Sequence, residues 1–407
     1  MKVLHLLSQH PEQTGSGFYV QSMIKHCAAH GHKNHLIAGI SGDNTPELPC
    51  LAATESTFVH FEKNILNFTI PGMSDVMPYP SSRFSSLSEQ QLENYCRVFE
   101  NTIKEVVQGF SPDVIHSHHL WLATVAARRT CPDLPMVTSC HSTDIRQYLQ
   151  NAHLRDRISG IEKIERILAL SNTQRDQIAQ VHNVDYEQID VVGGGYDTVR
   201  FNPGEKRREL PLQFVYAGKL SMAKGVPMLL QAMALLNDSR IHLHLVGSGT
   251  GEESKRCLQL AAQLAPKVTV HGAVSQEDLA TLMRKSHVFV LPSFFEGLPL
   301  VLLEALSSGC RIICSDLHGC KELLKNGDPD IVDFIELPNM VNVDTPVPDQ
   351  IDVFIKRIAG SLKKMADRAM INPNPSSQNA KRITESYSWH SVFSRVEKAY
   401  HDVCKTT

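Results

Sequence analysis

The stretch Pro292-Ser-Phe-Phe-Glu-Gly-Leu-Pro-Leu-Val-Leu-Leu-Glu-Ala-Leu-Ser-Ser-Gly309 follows an apolar run, residues 287–291, that reads as a buried strand. A strand ending in Pro-Ser, then a Glu-Gly turn, then a helix opened by Pro299 at a first-turn position, predicts the carboxyl end of a parallel strand. Open α/β sheets hold their ligands at that end. Glu296 and Glu304 have seven residues between them. On one continuous helix their carboxylates would diverge by about 80°, so they converge only with Glu296 in the loop and Glu304 in the helix. Two carboxylates beside a helix N-terminus suit a ligand with several hydroxyls and a phosphate.

Strand-like and helix-like segments alternate on both sides of this stretch. In the first half, residues 3–7, 35–40, 114–116, 136–139, 167–170 and 189–192 read as strands, with helices at 18–30, stopped by Gly31, and at 89–107. Residues 41–87 break the rhythm with Pro, Ser, Asn and Gly and read as an insertion near the mouth of a site. The rhythm restarts after Gly193-Gly-Gly195, with strands at 214–217, 241–246, 268–271, 288–291 and 311–314. Such alternation specifies doubly wound parallel sheets. The expected architecture is α/β: two Rossmann-like domains facing a cleft, residues 1–195 and 196–385, with a terminal helical segment at 386–407.

The chain has 407 residues, too many for one ordinary core. Its net charge of −3, with neither half strongly basic, argues against nucleic acid as a partner and gives no support to membrane contact. No run approaches the roughly 18 apolar residues of a membrane span. The short apolar start is broken by Ser8, Gln9, His10 and Pro11, so neither a signal peptide nor a transmembrane segment is expected. Ten cysteines without a Cys-x-x-Cys spacing suit reduced thiols and a cytoplasmic location.

Several short motifs carry chemistry. Lys219 and Lys224, bracketed by Gly218 and Gly225, follow the first strand of the second half, where ammonium groups can offset the charge of a diphosphate. Gly15 and Gly17 leave backbone N–H groups open to an anion, though a plain tight turn needs them equally. Gly247-Ser-Gly249 has Glu252 where a dinucleotide fingerprint requires its third glycine, so an NAD reading fails. His116, His118 and His119 end a strand, and no further ligand cluster lies nearby in sequence to favour a metal. Strand alternation puts His118 on the same side as His116.

Together these segments resemble the retaining glycosyltransferases of family 4, which have the GT-B fold. The resemblance rests on Glu296-x7-Glu304, Gly15-Ser-Gly17, His116-Ser-His118-His119, Thr138-Ser-Cys-His141, Gly195-Tyr-Asp197 with Phe201 and Pro203, Gly218-Lys219 with Lys224-Gly225, and Gly247-Ser-Gly249. These occur in the family's order along almost the whole chain. The resemblance implies a hexosyltransferase of glycan biosynthesis. Such an enzyme moves a sugar from a nucleotide-sugar donor, UDP favoured, to a hydroxyl of a carbohydrate or small-molecule acceptor by front-face substitution, with no cofactor and no metal.

By the same resemblance, Glu304 accepts the ribose hydroxyls, and Glu296 contacts the sugar with the amides of Gly297 and Leu298. Pro299 and Leu300 complete that donor-binding stretch, with Gly15, Gly17, Gly218 and Gly247 also lining the donor. Lys219 and Lys224 meet the leaving diphosphate, His118 lies against the sugar, and His141 and Asp144 face the acceptor. The terminal helix, near Trp389 and Phe393, crosses back to the first domain. The family usually carries arginine where Lys219 stands; lysine keeps the charge but loses the bidentate fork. Two other functions suit this architecture: a non-hydrolysing sugar-nucleotide epimerase, and a binding protein with a degenerate site.

Overall fold

The computed structural model describes residues 1–407 except 13, 43–44, 75–76, 326, 343, 376–377 and 406–407. The chain forms two compact units, Met1–Gly195 with Trp389–Thr407, and Tyr196–Ser388. The final helix therefore belongs to unit 1, and the second crossing lies at residue 388 rather than 385.

The sheet of unit 1 is built from β1 (Lys2–Leu7), β2 (Lys33–Ser41), β3 (Ser56–Phe61), β6 (Val114–His118), β7 (Met136–Ser139), β8 (Arg166–Ala169) and β9 (Ile189–Val191), while β4 (Pro71–Gly72) and β5 (Ser82–Arg83) pair separately. The order is β3-β2-β1-β6-β7-β8-β9 and every pairing is parallel. The order reverses between β1 and β6, whose last pair is Leu7 with His118. Both strands are buried along nearly their whole length, as the inner strands of a helix-covered parallel sheet must be. On one side, Tyr95, Phe99 and Ile103 of the helix Glu89–Phe110 pack against Leu4, Leu6 and Ile115. On the other, Tyr19 and Met23 of the helix Gly15–Ala29 meet Phe393, Val396 and Tyr400 of the helix Trp389–Lys405 over Val3, Val114 and Val137.

Three sequence expectations change here. The first helix starts at Gly15 rather than residue 18, because the Thr14 hydroxyl accepts the Gly17 N–H at 3.0 Å and caps it. Residues 41–87 contain the edge strand β3, whose Thr-Phe-Val-His-Phe run is short and sits among turn-forming residues. Strand β6 continues two residues past His116, so His118 lies within it.

Unit 2 carries β10 (Leu212–Ala217), β11 (Ile241–Val246), β12 (Val268–Gly272), β13 (Val288–Leu291), β14 (Arg311–Ser315) and β15 (Val332–Ile335), in the order β12-β11-β10-β13-β14-β15. All pairings are parallel, and the order reverses between β10 and β13. Strand β15 adds to the expected set; its Val-Asp-Phe-Ile sequence carries a charge inside an edge strand. The helices Val226–Leu236 and Ile351–Ile371 share one core with these strands. The polar run at 205–209 hides Lys206, only 3% exposed, whose ammonium donates to the carbonyls of Ser308 at 2.7 Å, Arg284 at 3.1 Å and Met283 at 3.4 Å. It thereby caps the C-terminal ends of two helices, Gln276–Lys285 and Val301–Ser307. No helix among the described residues is long and apolar enough to cross a membrane.

Candidate active site

In unit 2 the polar residues gather where β10 and β13 end, the point at which strand order reverses and two loops leave the sheet in opposite directions. The loop after β10 carries Lys219 and Lys224; the loop after β13 carries Ser293 and Glu296. Backbone bonds lace them together. Phe294 N–H donates to Ala223 O at 2.9 Å, Gly218 N–H to Val246 O at 3.0 Å, and Leu220 N–H to Ser248 O at 3.0 Å. Two glycines make this closeness possible. Gly225 has φ +67°, and a Cβ there would lie 2.0 Å from Pro292 O; Gly247 has φ +124°, and a Cβ would lie 1.9 Å from Gly218 O.

Lys224 Nζ stands 2.7 Å from Glu296 Oε1. The hydroxyl of Ser293, itself fully buried, donates to the same oxygen at 2.7 Å. Glu296 sits in the loop, ahead of the helix Val301–Ser307 that contains Glu304. Pro299 is not in the first helical turn as expected. Leu300 is the cap, and Pro299 O accepts Leu302 N–H at 2.9 Å in a tight turn leading into the helix. Leu298 and Leu300 pack partly buried against the core while Gly297 is exposed. Lys219 is exposed, and its own carbonyl accepts the Tyr216 hydroxyl at 2.8 Å. The Glu304 carboxyl has no hydrogen-bond partner among the described residues, and burial pushes its pKa up to about 7 against the pull of Arg200. The arrangement presents one loosely held cation, one cation engaged by a carboxylate, and a carboxyl poised near neutrality.

Unit 1 places its polar residues at the matching reversal between β1 and β6. His116 is satisfied by Tyr400 OH at 2.6 Å and Ser139 Oγ at 2.8 Å. His118, 1% exposed, has no partner for either ring nitrogen. His119 adopts φ +81°, a left-handed conformation rare outside glycine. Its Nδ1 lies 2.6 Å from Asp144 Oδ1, and its Nε2 lies 3.1 Å from Gln9. Asp144 Oδ2 accepts the N–H groups of Leu120 and His141 at 2.9 and 2.8 Å. Burial raises the Asp144 pKa, but His119 and these donors outweigh it and hold the carboxyl below its usual value.

Asp144 is fully buried and holds the His119 ring and the His141 backbone in place. His141 is 8% exposed, and burial brings its pKa down to about 3. Gly15 and Gly17 lie in the first turn of their helix, and Ser16 there meets the Gln9 amide. Sequence reasoning missed Ser293 and Gln9: they are common residue types whose role depends on which loop they face, and spacing does not report that.

Two family models account for most of the chain: "Glycosyltransferase Family 4" matches residues 14–200, and "Glycosyl transferases group 1" matches residues 200–337. The D-inositol 3-phosphate glycosyltransferase of Pseudarthrobacter chlorophenolicus is 28% identical over 240 residues, which cover 53% of this chain and 57% of that protein. The chain thus matches little more than half the length of that relative. Among solved structures, sucrose-phosphate synthase from Thermosynechococcus elongatus superposes with a TM-score of 0.72 at 17% identity, covering all of both chains. Anabaena HepE in complex with UDP and glucose gives 0.64 at 16% identity, covering 99% of this chain and 100% of that one. At such identities the likeness concerns the fold, which is GT-B. The two family matches meet at residue 200, at the start of the second unit, and the chain belongs to the GT-B glycosyltransferases of family 4.

Proposed function

We propose that this protein transfers a hexose from a nucleotide-sugar donor to a hydroxyl of a carbohydrate or small-molecule acceptor, with retention at the anomeric carbon. The observation that carries the reading is the Lys224–Glu296 contact of 2.7 Å at the strand reversal of unit 2, with exposed Lys219 on the same loop. Two cations at the end of β10 suit a diphosphate leaving group. Glu296 suits the sugar hydroxyls, with the Gly297 and Leu298 amides beside it, and Glu304 suits the ribose diol. UDP is the preferred nucleotide in this reading, supported by a neighbour of the same fold that was solved with UDP and glucose. We assign His118 to the sugar, and His141 with Asp144, which accepts the His141 N–H, to the acceptor side.

In the reaction the bond from the anomeric carbon to the diphosphate oxygen breaks and the bond to the acceptor oxygen forms on the same face. The acceptor proton passes to the departing phosphate oxygen. Lys224 leaves Glu296 to meet the growing charge, and the freed carboxylate oxygen takes a sugar hydroxyl. No protein nucleophile and no divalent cation is needed. We place the protein in the cytoplasm, in keeping with its ten free cysteines.

A panel of UDP-, GDP- and ADP-sugars tests this. A ligand that binds the folded state raises its melting temperature, and the stabilising donor should be consumed when an acceptor is added, with the anomeric configuration kept. No stabilisation by any donor, or an inverted product, would overturn the reading. Conversion of the donor sugar without an acceptor would mark an epimerase.

A further inference from the structure

Register across β1 and β6 brings three histidines together inside unit 1. His5 pairs with His116, and His118, two residues further along, lies on the same face. Each offers a ring nitrogen within 4.8 Å of the other two. We propose that His5, His116 and His118 bind one divalent transition-metal ion of the zinc type, with the fourth position left open.

The fold leaves nitrogens of His5 and His118 unused, while His116 would give up one of its two hydrogen bonds to the ion. With Asn34 Oδ1 accepting from His5 Nε2 at 3.1 Å, His5 carries its proton there, and its Nδ1 keeps a bare lone pair with no partner. Both nitrogens of His118 are likewise unpartnered, although the residue is 1% exposed. Buried polar atoms in native proteins are nearly always paired, and a neutral imidazole is among the favoured zinc ligands. The outer contacts that orient metal-bound histidines are already present. Asn34 holds His5, and whichever nitrogen His116 gives to the ion, the other keeps Tyr400 or Ser139.

Three nitrogens around a tetrahedral zinc stand roughly 3.4 Å apart, so the cluster closes by about 1.4 Å at most. His118 turns to do so, since its ring now lies 4.2 Å from that of His116 at 33°. An ion on one nitrogen of His118 fixes the ring and leaves its other nitrogen free. The site shares His118 with the glycosyl-transfer reading but none of the residues assigned to the diphosphate, and its occupancy is measured without turnover, so either can fail without the other.

The protein is produced in medium supplemented with zinc or cobalt, and its metal content is measured by mass spectrometry after gel filtration. We expect about one ion per chain and the intense visible bands of four-coordinate cobalt. Both should be lost in His5→Gln and in His118→Gln, with folding checked by circular dichroism. Both should survive in His244→Gln, which removes the exposed imidazole pair of His244 and His271, 2.9 Å apart. X-ray absorption on the unaltered protein, which needs no variant, should count three imidazole nitrogens. An ion content well below one per chain, as for an ordered water in the same space, overturns the proposal. So does an ion that survives both glutamine variants, one lost in His244→Gln, or a count below three.

Discussion

Unit 1 gathers five buried histidines and one buried carboxylate at its strand reversal, whereas unit 2 gathers two lysines and two carboxylates that stay partly exposed. Imidazole can be buried neutral, so unit 1 can bury its histidines on folding, with His5 Nδ1 and both nitrogens of His118 left open. An ammonium or carboxylate group loses far more on leaving water. Unit 2 therefore leaves Lys219, Lys224 and Glu296 in reach of water, with Lys224 paired to Glu296, and burial raises the pKa of Glu304. Two sheets with the same kind of reversal thus support one polar cluster that is buried and neutral and one that stays charged and in reach of water.

That contrast can be broken most forcefully at Asp144. Asp144→Ala removes the partner of His119 and of two loop N–H groups, and a buried pair stripped of one member costs about 3–5 kcal/mol. Urea denaturation should show the full loss; a change under about 1 kcal/mol would show that the histidine cluster is not held by the fold. Lys224→Ala should behave in the opposite way. Its ion pair is partly exposed, so stability should change by no more than about 1 kcal/mol. The reaction should lose about 3 kcal/mol of transition-state stabilisation, on the order of a hundredfold in rate. Steady-state kinetics showing a rate within about threefold of wild type would remove Lys224 from the leaving group.

Acid sharpens the comparison. Burial lowers the pKa of His5 to about 4 and of His141 to about 3, against an ordinary value of 6.5. A base whose folded pKa is depressed contributes its full stability above the unfolded value and loses it as pH falls towards the folded one. Unit 1 should lose about 1 kcal/mol per such histidine for each pH unit between roughly 6.5 and 4. Hydrogen exchange should show β1 and β6 losing protection ahead of β13 and β14 over that range. Glu304 runs the other way. With its pKa raised to about 7 by burial, it is protonated below neutrality and cannot accept both ribose hydroxyls. Calorimetry should show donor affinity falling up to about tenfold per pH unit below neutrality, and Glu304→Gln should abolish that slope. The smallest effect belongs to Ser293→Ala, which deletes one hydrogen bond to Glu296. A cost of about 1–2 kcal/mol should fall on kcat, with stability little changed.

The architecture was legible because helix and strand periods alternate without ambiguity, and the reversal loops carry Gly, Pro and paired charges that few other settings require. Glu296 in a loop and Glu304 in a helix followed from their spacing and from Pro292 and Gly297 alone. Edge elements were not legible. Strand β3 and strand β15 are short, and Asp333 and His60 interrupt their apolar runs. The polar side chains that work through others were also hidden. Ser293 and Gln9 look ordinary in sequence, and Lys206 looks like a solvated linker residue until its ammonium is found against three carbonyls. Their roles come from tertiary contacts between residues as many as 110 positions apart, beyond the reach of any local pattern.

Unit 1 is sewn from two segments that flank unit 2 in sequence, and this sets an order of events during synthesis. Tyr196–Ser388 is contiguous and can finish as soon as it clears the ribosome. The strands of unit 1 must wait, with Val3, Tyr19 and Val137 unshielded on one flank, until Phe393, Val396 and Tyr400 emerge after unit 2. A growing chain in that condition shows water an oily sheet for most of its manufacture, the kind of surface on which chaperones act and from which aggregates start.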